Sequence, residues 1–200
     1  MLQKKIKSFN LRVKKGGRFM APFSINLEGR FFILEEYWDL LFPDGTPSGE
    51  TLPASQRIPD GRCTLLVHIF ICDAQGNFLL QKRSMKKKYF PGVWDSTGGR
   101  VQAGESSPAA AVREIYEEVG LCITPENLLY LGRERLPWRN LLDLYAVRAD
   151  FTLEQCRMQK EEVDALRLVP YSQALDIFTA SKEAFYIAAF QHAADVLGAK

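Results

Sequence analysis

GGRVQAGESSPAAAVREIYEEVGL, residues 98–121, governs how the rest of this 200-residue chain is read. Two glycines open the stretch, Ser106 or Ser107 can cap a helix with Pro108 in its first turn, and Gly120 can close it. Ala111, Ile115 and Val119 recur at i, i+4 and i+8, the spacing of a buried helical face. Glu114, Glu117 and Glu118 share another face, and Glu105 makes four glutamates within fourteen residues, with Arg113 the one countercharge among them. Like charges three and four residues apart destabilise a helix by roughly 0.2–0.5 kcal/mol per pair. Carboxylates gathered beside a glycine loop suit hard divalent cations, which prefer oxygen ligands and would offset that repulsion. Magnesium is typically held by a few carboxylates plus the phosphates of a substrate. A cation held in this way can neutralise phosphate oxygens and hold a water in line with phosphorus.

Upstream of this stretch, FFILEEYWDLLF (31–42) reads as a strand and the Pro- and Gly-rich run 43–61 as a long loop. CTLLVHIFIC (63–72), the turn DAQGN and FLLQKR (78–83) predict a hairpin. SMKKKYFPGVWDSTGG (84–99) reads as a basic, aromatic loop that delivers the glycines. Downstream, strands are expected over 128–133, 141–150 and 164–169, then two helices from 172. The second helix carries Tyr186, Phe190, Ala193 and Leu197 on one apolar stripe that suits the core, with Gly198 as its stop. That order predicts an α/β fold, a mixed sheet with helices on both faces.

Composition narrows the setting. No apolar run is long enough to span a bilayer and no secretory signal opens the chain, so a cytoplasmic location is expected. Cys63, Cys72, Cys122 and Cys156 form no CxxC pair and have no histidines nearby, which points to free thiols in a reducing compartment and not to zinc. Residues 1–18 hold seven Lys or Arg and no acid, leaving 19 basic against 24 acidic residues beyond them. A basic arm of that kind can touch nucleic acid, an anionic lipid surface or a transit receptor, but a solvated extension over 1–30 is the expected role and a nucleic-acid partner is not expected. Met20, which follows Lys15-Gly16-Gly17 after two further residues, is an alternative natural start.

The glutamate stretch fits a longer pattern: Gly, five residues, Glu, seven residues, Arg-Glu-apolar-any-Glu-Glu-any-Gly-apolar. Gly99, Glu105, Arg113, Glu114, Ile115, Glu117, Glu118, Gly120 and Leu121 fill every defining position. This resembles the Nudix box of hydrolases acting on nucleoside diphosphates linked to another moiety. The resemblance implies a Nudix-type α/β/α sandwich with a mixed β-sheet over residues 31–200, the box spanning 99–121. It further implies a Mg2+ site (Mn2+ being the alternative) formed by Glu114, Glu117, Glu118 and the Gly99 carbonyl. Glu114 and Glu118 would be catalytic, with Glu114 a ligand or the base on the water, Arg113 orienting the glutamates and Glu105 supporting. Glu161 and Glu162 are candidates for a further acid from a later loop. Arg83, Lys88, Trp94, Trp138 and Arg139 are the expected substrate contacts, cations for phosphate and rings for a base.

QKRSMKKKYFPGVWDSTGG, preceded by EEYWDLLFPDG at 35–45, further resembles the Nudix branch related to isopentenyl diphosphate isomerase, over about residues 32–170. Isomerases place a cysteine and a histidine around the glycine at the head of the box, where this chain has Thr97-Gly98-Gly99-Arg100. The upstream metal-binding histidine would fall near Thr64 and is missing, while the glutamate cluster, degraded in isomerases, is intact. The expectation is therefore hydrolysis of a small nucleoside-diphosphate-like molecule. A prenyl diphosphate isomerase and a non-catalytic diphosphate-binding module are the alternatives, and a homodimer is left open.

Overall fold

A computed structural model of the chain describes residues 35–200, together with the backbone of two short strands, β1 (Phe23–Ile25) and β2 (Phe31–Ile33), paired antiparallel. The expectations for the basic extension 1–30 and for Met20 otherwise lie outside the described residues. The expected strand over 31–42 is interrupted; its described latter part is β3 (Tyr37–Leu41). β3 forms a hairpin with β4 (Pro47–Pro53), so the expected loop at 43–61 contains a strand. Proline is tolerated where a strand begins or runs along an edge, and Pro47 and Pro53 occupy the two ends of β4, turned by Gly45 at φ 88°.

The main sheet grows from the hairpin that the sequence predicts. β5 (Thr64–Cys72) and β6 (Phe78–Arg83) pair at Ile71↔Leu79 and Cys72↔Phe78, then splay apart. Two strands within the expected loop 84–99 fill the split. β7 (Trp94–Asp95) pairs with β6, and β8 (Thr97–Arg100) pairs antiparallel with β5 from Ile69↔Thr97 to Leu66↔Arg100. β9 (Leu129–Leu136), β10 (Asn140–Arg148) and β11 (Val163–Val169) complete the order β11-β6-β5-β10-β9, with β5 and β10 parallel. A parallel pair requires cover on both faces, which explains the near-continuous apolar run of β5.

That cover is three helices. α1 (Ser107–Val119) packs Ala110, Ala111, Ile115 and Val119 on Val67, Ile69 and Ile71 of β5. Ser106 caps it by accepting from the Ala109 N–H at 3.4 Å, and Gly120 ends it in the left-handed conformation at φ 78°. The opposite face carries α2 (Tyr171–Ser181) and α3 (Ala184–Leu197), whose Phe178, Tyr186 and Phe190 pack on Phe70 and Phe78. The apolar stripe of α3 therefore serves the core. The result is an α/β/α sandwich whose box glycines line the gap between β5 and β6. The four cysteines are free. Among the described residues no helix is long and apolar enough to cross a membrane.

Candidate active site

Arg113 answers the question its neighbours raise. Its Nε donates to Glu105 Oε1 at 2.9 Å and its Nη1 to Glu114 Oε1 at 2.7 Å and to Glu117 Oε2 at 3.1 Å. Its Nη2 donates to Glu105 Oε2 at 3.0 Å and to the Arg100 carbonyl at 2.8 Å. One planar guanidinium thus ties three carboxylates and the end of β8 into a single frame, work that a lysine's single point of charge does not do. The first turn of α1 is anchored separately: Ser107 Oγ donates to Asp143 Oδ2 at 2.5 Å, and Arg133 clamps the same buried carboxylate at 2.6 and 2.8 Å.

Glu118 lies outside the reach of Arg113. It is buried, and its Oε2 accepts from Gln81 Nε2 at 2.8 Å and from the Gly98 N–H at 3.1 Å. Burial, and next the Glu114 charge, push its carboxyl up to about 8 against those two donors. Burial likewise pushes Glu114 up to about 7; the Arg113 charge opposes this and Glu117 and Glu162 add to it. Three of the glutamates share one guanidinium and the fourth has only neutral donors.

The glycines are dictated by space. A Cβ on Gly99 would sit 2.1 Å from Glu114 Oε1, and one on Gly98 would sit 2.3 Å from the Val67 carbonyl oxygen. Alternation along the antiparallel ladder also separates their polar groups. Val101 N donates to the Leu65 carbonyl, which places the Gly99 carbonyl on the β5 side, whereas the Gly98 N–H already faces Glu118 and the Gly98 carbonyl shares that open side.

Among the described residues no three His, Cys, Asp or Glu side chains are gathered closely enough to hold a metal ion. Arg113 stands between Glu114 and Glu117, and Glu118 is turned to Gln81 and Gly98. The donor chemistry nonetheless fits a hard cation: a buried carboxylate and a half-buried one whose burial favours neutralisation, an outward backbone carbonyl, and Gln81 Oε1, buried without a partner. Glu162, one of the two later acids singled out in the sequence, is close enough to raise both Glu114 and Glu118, and it is ion-paired to Lys87. Glu161 is exposed.

The expected substrate contacts are scattered. Arg83 is half-buried and directs Nε and Nη2 at the Tyr89 carbonyl, both at 3.4 Å. Lys88 is exposed, 5.3 Å from the ring centroid of Tyr89. Trp94 is half-buried beneath the Arg167 guanidinium at 4.0 Å and packs against the core of the α2–α3 face. Trp138 is exposed, its ring 6.5 Å from that of Phe90 across the mouth of the loop between β6 and β7. Arg139 is ion-paired with Asp60 and donates to the Ile58 carbonyl at 2.8 Å, which turns it away from the glutamates.

Several site residues escaped the sequence reading. Gln81 is a polar residue inside an apolar strand, a signal that was there to be used. Lys182 has no signal in the sequence, and the apolar stripe marks Tyr186 for the core without indicating its hydroxyl contacts, because α3 and the end of α2 meet β7 only in three dimensions. Lys182 Nζ lies 2.5 Å from Asp95 Oδ2, and the Tyr186 hydroxyl lies 2.5 Å from Ser96 Oγ and 3.1 Å from Asp95 Oδ1. His68 Nδ1 is 3.4 Å from the same hydroxyl, and burial pushes its imidazole down to about 4. Asp95 is held below the usual carboxylate range. Burial alone would raise it, and the charges of His68 and Lys182 outweigh that; with the imidazole neutral at pH 7, the Lys182 ammonium carries the effect.

Comparison with known proteins agrees with this geometry. The family model of the NUDIX domain matches residues 64–189. An uncharacterized Nudix hydrolase of Listeria monocytogenes is 33% identical over 139 residues, 67% of this chain and 79% of that protein. Isopentenyl-diphosphate Delta-isomerase of Escherichia coli is 34% identical over 96 residues, 48% of this chain and 53% of the isomerase. Among solved structures, DR0079 from Deinococcus radiodurans superposes with a TM-score of 0.63 at 20% identity, covering 79% of this chain and 99% of that one, which shows a shared fold. With the family match spanning more than half of its length and the glutamates, Arg113 and glycines in this register, the chain belongs to the Nudix hydrolase family.

Proposed function

We propose that this protein hydrolyses a diphosphate bond in a small nucleoside-diphosphate-like molecule, with Mg2+ or Mn2+ bound by Glu114, Glu117, Glu118 and a box carbonyl. The observation that carries the reading is four glutamates gathered around one arginine, with Glu118 buried and Glu114 half-buried beside it and their carboxyls raised to about 8 and about 7 in turn because burial disfavours their charge. When bound, the cation supplies charge neutralisation for the phosphate oxygens and acidifies the attacking water. The residues of the chain do the rest. Arg113 holds Glu114 and Glu117 at fixed positions, Gln81 and the Gly98 N–H hold Glu118, and Gly99 lets β8 lie against the Glu114 carboxylate. Although the resemblance named Gly99, we assign the ligand carbonyl to Gly98, because that carbonyl faces the open side. Glu114 serves either as a ligand of the cation or as the base that takes the proton of the attacking water. Arg83, at the end of β6, and Lys88, in the loop between β6 and β7, offer positive charge to the phosphates, while Lys87 is ion-paired to Glu162 and Trp138 and Phe90 form an exposed aromatic pair for a planar group. A reducing cytosol accords with four free thiols.

The test is a phosphate-release screen with Mg2+ or Mn2+ over nucleoside di- and triphosphates, nucleotide sugars, dinucleotide cofactors and prenyl diphosphates. Turnover of at least one anhydride, abolished by Glu118→Gln, is expected; no turnover of any of them, beside an active control, points to the binding module. The isomerase alternative gains nothing from the residues present, since the run Thr97-Gly98-Gly99-Arg100 contains neither cysteine nor histidine.

A further inference from the structure

Arg100 carries a charge that nothing described around it neutralises. It ends β8, one residue beyond Gly99, and successive strand side chains take opposite faces. Gly99 faces Glu114, so Arg100 lies on the other side, opposite Leu66 of β5. There its guanidinium carbon sits 4.2 Å from the ring centroid of Trp38. Its Nη1 donates to Asn140 Oδ1 at 2.9 Å and to Thr64 Oγ1. All three partners are neutral. Other arginines near the ends of these strands are matched with acids: Arg113 with Glu105, Glu114 and Glu117, Arg133 with Asp143, Arg62 with Glu50, and Arg139 with Asp60. Among the described residues Arg100 has no ion pair, and its Nε and Nη2 donate to no protein acceptor.

The unused groups form one edge of the guanidinium. Nε–H and Nη2–H are parallel donors in the fork that matches two oxygens of a phosphate. Trp38 behind the plane and the two bonds on Nη1 fix the fork before any ligand arrives, so little freedom is lost on binding. Arg100, Trp38 and Leu66 are all half-buried, so the guanidinium stays partly open to solvent and to a ligand. Holding a guanidinium partly away from water with only neutral partners is unfavourable unless an anion completes it.

We propose that the Nε–Nη2 edge of Arg100 binds a phosphoryl group of the substrate on the face of β8 away from Glu114. The assignment rests on the hydrolase reading above and deepens it: the diphosphate straddles the end of β8, one phosphoryl group on the side of the glutamates and the other on Arg100. The site thereby selects substrates with two adjacent phosphoryl groups over phosphate monoesters.

Calorimetric titration of the full chain with methylenediphosphonate and, separately, with inorganic phosphate tests this, in wild type, Arg100→Gln and Arg100→Lys, with Mg2+ present. Arg100→Gln should weaken methylenediphosphonate about 10- to 100-fold, the loss of one charge-assisted bidentate contact. Arg100→Lys, which keeps the charge and loses the fork, should still weaken it several-fold, and it replaces the Gln variant if that one does not fold. For any anhydride that the wild type turns over, the loss should fall on KM more than on kcat, as expected for an interaction made alike in ground and transition states. Wild-type affinity and KM in both variants would overturn the proposal while leaving the hydrolase reading in place. Inorganic phosphate binding as tightly as methylenediphosphonate, with KM unmoved in the variants, would overturn it too, because the site would then serve free phosphate. Arg100-dependent probe binding in a protein that hydrolyses no anhydride would support the subsite and remove the reading it was built on.

Discussion

Glu118→Gln should make the metal-free protein more stable while destroying its activity. The carboxyl of Glu118 is buried and raised from 4.5 to about 8 by burial and by Glu114, with Glu162 adding to the repulsion from the loop before β11. A carboxyl raised on folding contributes stability below its unfolded value, and that stability is lost as pH rises through the folded value. Without metal, the wild type should therefore weaken steadily from about pH 4.5 to about pH 8. One pKa unit corresponds to roughly 1.4 kcal/mol; the full shift would give roughly 3 kcal/mol at pH 7, and sharing with Glu114 reduces this to about 2 kcal/mol. The Gln side chain keeps the shape, never ionises, and brings an amide donor to Gln81 Oε1, which is buried without a partner. In EDTA at pH 7.5 the variant should melt roughly 4–8 °C above wild type, and at pH 5 the gap should shrink to about 2 °C. Saturating Mg2+ should reverse the order, since at a hundredfold excess over Kd a ligand stabilises by about 2.7 kcal/mol and the variant has lost a ligand. Differential scanning calorimetry across this pH range, paired with turnover, makes the measurement. A variant no more stable than wild type in EDTA at pH 7.5, or a gap independent of pH, would refute the reasoning.

Arg113→Ala should destabilise the fold by about 3 kcal/mol in urea titration, because it strands the partly buried Glu114 and Glu105 and frees the Arg100 carbonyl. Gly99→Ala should lower turnover by more than about 100-fold with a smaller effect on melting, since its Cβ would drive the Glu114 carboxylate from its place; activity within about threefold of wild type would show that Glu114 can move without harm. Lys182→Met should destabilise by about 3 kcal/mol at pH 7 by leaving the buried Asp95 unpaired. Asp95 lies below its unfolded value, so its contribution is present above about pH 4 and lost as pH falls, and the gap between Lys182→Met and wild type should close in acid melts.

The helix of the box was legible because its signals are local. Ser106, Gly120 and the spacing of Ala111, Ile115 and Val119 name its ends and buried face without reference to the rest of the chain. The hairpin of β5 and β6 was legible for the same reason, through strand composition around a turn. β4, β7 and β8 were not. PSGETLP and WD-S-TGGR carry one β-branched residue each, Thr51 and Thr97, among Pro, Ser and Gly and without apolar alternation, and they are strands because β3, β6 and β5 offer them hydrogen-bonding edges. That Glu118 is buried was equally hidden, since helical spacing places it with Glu114 and Glu117 and says nothing of what covers it.

The amino-acid order by itself determined the residues of the chemistry: four glutamates, an arginine and two glycines in one register, with no isomerase cysteine among them. Their states were decided by the tertiary structure. Arg113 shares its charge among three of the glutamates because β8 and α1 bring them within one guanidinium's reach. Glu118 is raised because the fold buries it beside Glu114, and among the described residues Arg100 is left without an acid because β8 turns it to a face lined by Trp38, Thr64 and Asn140. Residue identity sets which charges exist. Burial and distance set how strongly each is felt, and both come from contacts between segments far apart in the chain.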